Sequence, residues 1–353
     1  MDLKKYGFMP ELLPEGEQGI PARITAVYKE RYALVCMYGE AWGRLKTKEY
    51  YEEGEEFPTA GDFVLIDYRA DGDSRILRTL PRKTFFSRRD PTPGRGAQAV
   101  AANFDDVFIM QSLNQNFNVR RLERYLTLAW QSGAVPVIVL TKADLAGEKE
   151  REEAVREAEK IAAGVDICVI SARTGYGMEE LSGHVASGRT VVLLGSSGVG
   201  KSSLVNALAG EELMEVSGIR ESDGKGRHTT THRQLFMLKS GVMLIDTPGM
   251  RELGMWDVSD GLGEAFGDVE QFLGRCRFHD CRHQTEPGCA IKKAIEEGEL
   301  SRERWESYMK LGNEAEYFDD RSAYIRQKSQ RNRAVSRLSR QRRKEKEGSR
   351  RAL

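Results

Sequence analysis

The residues most able to do chemistry stand at Gly195-Ser196-Ser197-Gly198-Val199-Gly200-Lys201-Ser202. The apolar run Val191–Leu194 precedes them, and Ser203–Leu208, with helical character, follows. A glycine-rich loop between strand and helix turns its backbone N–H groups inward around phosphate oxygens, and the helix N-terminus adds partial positive charge. Gly195–Ser203 are therefore expected to bind nucleotide. Lys201 is expected at the β- and γ-phosphates, and Ser202 on Mg²⁺. Downstream, the strand Val242–Ile245 ends in Asp246-Thr247-Pro248-Gly249. A carboxylate there holds Mg²⁺ through water, and the Gly249 N–H meets a γ-phosphate. Between the two lies Gly224-Lys225-Gly226-Arg227-His228-Thr229-Thr230-Thr231-His232. Its glycines, basic pair and hydroxyls suit a mobile switch, in which Thr229, Thr230 or Thr231 binds Mg²⁺ only while the γ-phosphate is present.

A phosphate loop does not choose a base. Thr141-Lys142-Ala143-Asp144 follows the strand Val137–Leu140, and Ser171-Ala172 follows Ile167–Ile170. The Asp144 carboxylate can accept from guanine N1–H and the exocyclic amine, a donor pair that adenine lacks. The Lys142 stem can lie over the ring, and the Ser171-Ala172 backbone can meet O6. Ordinary GTPases run phosphate loop, switch, D-x-x-G, guanine Asp, Ser-Ala. Here the order is Asp144, Ser171-Ala172, Gly195–Ser202, Thr229–Thr231, Asp246–Gly249. The same site is closed by a circularly permuted chain.

A second cluster, Cys276-Arg-Phe-His279-Asp-Cys281-Arg-His283-Gln-Thr-Glu-Pro-Gly-Cys289, packs three thiols and two imidazoles into a short stretch. Cys276, Cys281, His283 and Cys289 make a Cys₃His set suited to one tetrahedral, structural zinc. No C-x-x-C pair suggests redox work, and five cysteines without a disulfide framework suit a reducing, cytoplasmic setting.

Elements must position these groups. Short apolar runs at Ile20–Lys29, Tyr32–Tyr38, Ala41–Lys46, Asp62–Tyr68 and Ser74–Leu80, parted by glycine turns, predict a small barrel over 1–83, of OB type or SH3-like. The Pro/Gly/Arg-rich stretch predicts a linker over 84–99. From 100 to 258 apolar strands alternate with amphipathic helices, the pattern of an α/β domain with a mainly parallel sheet. A helical zinc-binding module is expected over 259–320 and a basic tail over 321–353. The formal net charge of zero hides an asymmetry: 321–353 holds thirteen Lys/Arg against two Asp/Glu, and the rest holds 41 against 52. A basic tail on an acidic body suits a polyanion such as RNA. No run approaches the roughly 20 apolar residues of a membrane span, and the N-terminus has no apolar signal core.

In Gly195–Ser203, Gly226-Arg227-His228-Thr229-Thr230-Thr231 and the Cys/His cluster, the chain resembles the bacterial ribosome small-subunit-dependent GTPase A family over nearly its whole length. The resemblance implies an OB barrel, a permuted GTPase domain and a zinc module whose ligands are Cys276, Cys281, His283 and Cys289, with His279 left out. It implies GTP hydrolysis stimulated by the small ribosomal subunit, late in that subunit's maturation, by a monomeric cytoplasmic protein that contacts rRNA. The family's guanine motif often begins with Asn. Thr141 in its place weakens a contact to guanine N7, while Asp144 keeps the main discrimination. Met250 stands where many GTPases carry a water-orienting Gln. His228 is the first candidate for that task, and ribosomal RNA is the other. Two rival readings are a P-loop ATPase with a coincidental T-K-A-D, and an RNA-binding module that uses nucleotide only as a structural ligand.

Overall fold

The computed structural model describes residues 2–13, 16, 18–45, 57–89, 97–114, 117–214, 233–246 and 259–315. His228, Thr229, Thr230, Thr231, Gly249 and the tail 321–353 lie outside the described residues.

Five strands come first: β1 (Ile20–Val27), β2 (Tyr32–Cys36), β3 (Gly39–Leu45), β4 (Phe63–Asp67) and β5 (Ser74–Thr79). β1 pairs antiparallel with both β2 and β4, β3 runs parallel to β5, and β4 pairs antiparallel with β5. The ring β1-β2-β3-β5-β4 therefore closes, an OB-like barrel. Alternation along the strands buries Ala22, Ile24, Leu34, Cys36, Val64, Ile66 and Ile76 inside it. Gly43 is needed there, because a Cβ would stand 2.6 Å from Leu34 Cδ1.

The stretch 84–99, expected as a linker, instead holds most of a hairpin, β6 (Phe85–Arg89) with β7 (Ala97–Ala102). Phe86 is buried and stacks on Phe104 with ring centroids 4.8 Å apart. The Pro/Gly/Arg composition is concentrated in 90–96, outside the described residues, and the flanking residues pair as strands on either side of it.

The second unit alternates strand and helix. In order come β8 (Asp106–Ser112), α1 (Val119–Gln131), β9 (Val135–Thr141), α2 (Glu148–Ile161), β10 (Asp166–Val169), α3 (Met178–Ser182), β11 (Thr190–Gly195), α4 (Lys201–Ala209), β12 (Arg233–Met237) and β13 (Met243–Asp246). The sheet order is β10-β9-β8-β11-β13-β12. Every pair in it is parallel except β12 with β13. All seven β8 residues and all six of β11 are buried, as expected of strands covered on both faces. α1 is capped by Asn118, whose side chain accepts from Arg121 N, and buries Leu122, Tyr125, Leu126 and Ala129 on one face. β1 also pairs with β12, at Ala26 with Gln234 and Val27 with Arg233, so barrel and α/β sheet are continuous.

The C-terminal part is helical: α5 (Ser259–Ala265), α6 (Gly267–Glu270), α7 (Ala290–Glu296) and α8, described over 302–315. Among the described residues no helix is long and apolar enough to cross a membrane.

Candidate functional site

The phosphate loop joins the carboxyl end of β11 to the N-terminus of α4, at the middle of the parallel sheet. Gly198 (φ 73°) and Gly200 (φ 104°) hold left-handed conformations that a residue with a Cβ adopts only with strain. Gly195 leaves room for the neighbouring strand, since a Cβ there would lie 2.8 Å from Met110 O. The Lys201 ammonium lies across the loop and donates to the carbonyls of Gly195 (2.8 Å) and Ser196 (2.9 Å). Asp246 ends β13 beside β11 and is 8% exposed.

The guanine motif leaves the end of β9, two strands from β11. Thr141 is buried, and its hydroxyl donates to Val199 O at 2.6 Å. Lys142 takes a left-handed conformation (φ 60°), which turns the chain sharply into the short helical turn Ala143–Leu145. Ala143 N donates to Ile170 O at 3.0 Å and ties this turn to the end of β10. The buried Ser171 hydroxyl donates to Asp144 Oδ1 at 2.7 Å, aiming a carboxylate that stays largely exposed. The tight return of the Ser171 loop depends on Gly177, where a Cβ would meet Val169 O at 2.0 Å. Phosphate loop, Asp144, Ser171-Ala172 and Asp246 thus gather at the carboxyl edge of one parallel sheet, where open α/β sheets bind their ligands.

The second site lies among the C-terminal helices. One ligand atom from each of Cys276, Cys281, His283 and Cys289 falls within 4.8 Å of the others. His283 Nδ1 is the inward nitrogen, 3.4 Å from the Sγ of both Cys276 and Cys289. Ala290 N donates to Cys276 Sγ at 3.4 Å, so the start of α7 faces the cluster. Burial acts to raise the Cys276 thiol, but the Ala290 N–H and the neighbouring thiols outweigh it and draw it down. Cys281 is pushed up to about 11, first by burial and then by the other two thiols. Three thiolates cannot share this space without a cation, so the donor set fits a metal ion. His279 is outside the set.

The chain from 79 to 256 matches the model of the RsgA GTPase family. The chain belongs to the RsgA GTPase family. It is 45% identical over 323 residues, 90% of each chain, to "Small ribosomal subunit biogenesis GTPase RsgA 2" of Listeria monocytogenes serotype 4b. It is 43% identical to the RsgA of Syntrophotalea carbinolica, over 84% of this chain and 83% of that one. Among solved structures it resembles YjeQ from Thermotoga maritima, with TM-score 0.60, 26% identity, and coverage of 83% of this chain and 97% of the other. YloQ, described as a circularly permuted GTPase, matches in fold with TM-score 0.58 at 23% identity, over 88% and 98% of the two chains. As an RsgA GTPase the chain is a GTP hydrolase, and its fold is the permuted one that the motif order requires.

Sequence reasoning did not single out three RsgA residues that the structure ties to these sites. Arg121, in the first turn of α1, donates from Nη1 to Ser196 Oγ at 3.4 Å. Glu123 and Arg304 form a buried ion pair at 2.7 Å that locks α8 onto α1. Their partners lie 75 and 181 positions away, beyond the reach of any local pattern.

Proposed function

We propose that this chain hydrolyses GTP while engaged with the small ribosomal subunit, and that it acts in the late maturation of that subunit through rRNA contacts. The observation that supports this is the gathering of a phosphate loop and a guanine-reading carboxylate at one sheet edge, in a chain whose relatives are named small ribosomal subunit biogenesis GTPases.

In this reading the Gly195–Ser203 backbone cradles the phosphates, and Lys201 turns from its two carbonyls to the β/γ oxygens. Ser202 and one Thr of 229–231 hold Mg²⁺, and Asp246 holds it through water. Gly249 meets the γ-phosphate. Asp144 reads N1–H and the amine, Ser171-Ala172 read O6, and Lys142 covers the ring. His228 orients the attacking water, the task that Met250 cannot perform. Cys276, Cys281, His283 and Cys289 hold one structural Zn²⁺, which supplies folding energy rather than chemistry. The units are a barrel (1–83), a GTPase domain (100–258) entered through the hairpin within 84–102, a zinc module (259–320) and an RNA-contacting tail (321–353). The protein works as a cytoplasmic monomer.

GTPase assays with purified small subunits, large subunits and neither test this. Small subunits are expected to raise the rate and large subunits to leave it unchanged. The stimulation is expected to fall with salt, because phosphate contacts release counterions. His228→Ala is expected to lose most of the stimulated rate at near-normal GTP affinity. Parent protein that small subunits do not stimulate would sink the ribosomal assignment and leave the GTPase chemistry standing.

A further inference from the structure

α1 touches the phosphate loop at its first turn and the C-terminal helices along its length. Its entry is fixed to the sheet by a reciprocal pair: Asn118 N donates to Gln111 Oε1 at 2.8 Å, and Gln111 Nε2 donates to Asn118 O at 3.0 Å. Arg121 then reaches Ser196, the second residue of the loop. Glu123 and Arg124 are clamped by α8. Glu123, 3% exposed, accepts from Arg304 Nη1 at 2.7 Å and from the Ser307 hydroxyl. Arg124 pairs in bidentate fashion with Glu314 at 2.8 and 2.6 Å. Arg304 also forks onto Asp268 at 2.9 and 2.8 Å and lies 3.9 Å over the Phe266 ring. Farther along, α5 presses so closely that a Cβ on Gly261 would stand 2.2 Å from Thr127 O. Trp305 of α8 packs edge-on against His283 of the metal cluster, with centroids 5.3 Å apart.

These contacts make one continuous packed path from the metal cluster through α8 and α1 to the loop. Among the side chains that hold the loop, two come from other described elements: Thr141 donates to Val199 O, and Arg121 donates to Ser196 Oγ. Gly198, between those points, and Gly200, just after them, contribute no side chain of their own. We propose that Arg121 is a positioning residue for the phosphate loop, and that the C-terminal module sets its position through the Glu123–Arg304 and Arg124–Glu314 clamps on α1. The module thereby controls how tightly the loop grips nucleotide.

The test is a binding cycle on the full-length, metal-loaded protein, with fluorescent GDP as the probe and thermal unfolding of the nucleotide-free protein as a parallel readout. Arg121→Ala is expected to weaken GDP binding on the order of tenfold, about 1.4 kcal/mol, without moving the unfolding midpoint. Arg121→Lys is expected to recover part of the loss. Glu314→Gln, at a partly exposed pair that folding tolerates, is expected to weaken binding by about threefold, and that factor is expected to vanish in the Arg121→Ala background, as coupled residues require. Glu123→Gln is expected to behave the same way with a larger factor. Wild-type GDP affinity in Arg121→Ala overturns the proposal. So does a Glu314→Gln effect that persists in full without Arg121, or a binding loss that follows the unfolding midpoint and is not recovered by lysine.

Discussion

The hydroxyl of Thr141 lies 2.6 Å from the carbonyl oxygen of Val199, so the first residue of the guanine motif holds the phosphate loop. A hydroxyl has one proton to give. Here it is given to Val199, with Gln111 O a longer second acceptor at 3.3 Å. None remains for purine N7. GDP and 7-deaza-GDP, which lacks that nitrogen, are therefore expected to bind within about twofold of each other, since a lost hydrogen bond costs roughly 0.5–1.5 kcal/mol and none is lost. Thr141→Val is expected to weaken both equally, by about tenfold, because it strands a buried carbonyl. Competition binding with the two nucleotides decides it, and a clear preference for GDP would return Thr141 to reading the base.

In the proposed function Asp144, not Thr141, reads the base. Ser171 holds Oδ1 at 2.7 Å and so aims the carboxylate edge. Asp144→Asn replaces a two-fold acceptor with one donor and one acceptor, which matches xanthine and mismatches guanine. GDP affinity is expected to fall on the order of a hundredfold or more, as two charge-assisted bonds are lost, while XDP affinity rises above that of GDP. Ser171→Ala keeps the chemistry and loses only the aim, so it is expected to cost less and leave XDP unfavoured. Isothermal titration with both nucleotides separates the two variants. Unchanged GDP selectivity in Asp144→Asn would remove Asp144 from the base site.

Much of this was legible because the chemistry is local. The phosphate loop, the D-T-P-G motif and the Cys/His set each place their groups within about a dozen positions, and the strands before the first two are plain apolar runs. The barrel strands were marked by turns such as Asp71-Gly72-Asp73, and the parallel β3–β5 pairing decided OB-like closure over the SH3-like alternative. What was not legible is pairing across the chain. Nothing near Glu123 announces Arg304, nothing near Arg121 announces Ser196, and Ala26 gives no sign that it will meet Gln234. The β6–β7 pairing was hidden for a different reason: the Pro/Gly/Arg composition of 90–96 outweighed two short strands in which Phe86 and Val100 supply the burial.

The Cys₃His cluster is expected to hold one zinc per chain, and Trp305 offers a direct reporter. Its ring lies against His283 and stacks on Tyr308, with centroids 5.7 Å apart. Removing the metal with a strong chelator is expected to free the imidazole and shift Trp305 emission, and re-added zinc is expected to restore it. Trp305→Phe should abolish the change while metal analysis still finds zinc. Structural zinc sites are worth about 10–16 kcal/mol of apparent binding energy at neutral pH, so the metal-free protein is also expected to lose helix in its C-terminal part. Metal analysis of the purified protein that finds no zinc in a fully folded module would refute the assignment.

Arg23 supplies the sharpest test of how the barrel is fixed to the GTPase sheet. Its side chain starts in β1, is 1% exposed, and meets acceptors from five other segments. It donates to Gly61 O at 3.2 Å, Asn103 O at 2.8 Å, Thr190 Oγ1 at 3.0 Å and the Tyr6 carbonyl, with Met243 Sδ at 3.1 Å. Among the described residues no carboxylate hydrogen-bonds to it. Burial pulls its guanidinium down to about 10, and Asp105 and Asp62 act against that from farther away. The arrangement uses the fork geometry of Arg rather than its charge. Arg23→Met removes a costly buried charge but strands several buried acceptors at roughly 1–3 kcal/mol each, so a net loss of about 2–4 kcal/mol is expected. Arg23→Lys keeps a charge that must stay buried and cannot span the same acceptors, so it is expected to be at least as destabilising as Met. The folded pKa lies below the unfolded one, so the charged form costs stability at every pH below about 10, and that cost falls only as pH rises from there. The ranking of the two variants is therefore expected to hold unchanged from about pH 6 to pH 9. Urea unfolding of both, followed by tryptophan emission, is the measurement. Lysine restoring parental stability would mean that charge alone joins the two units.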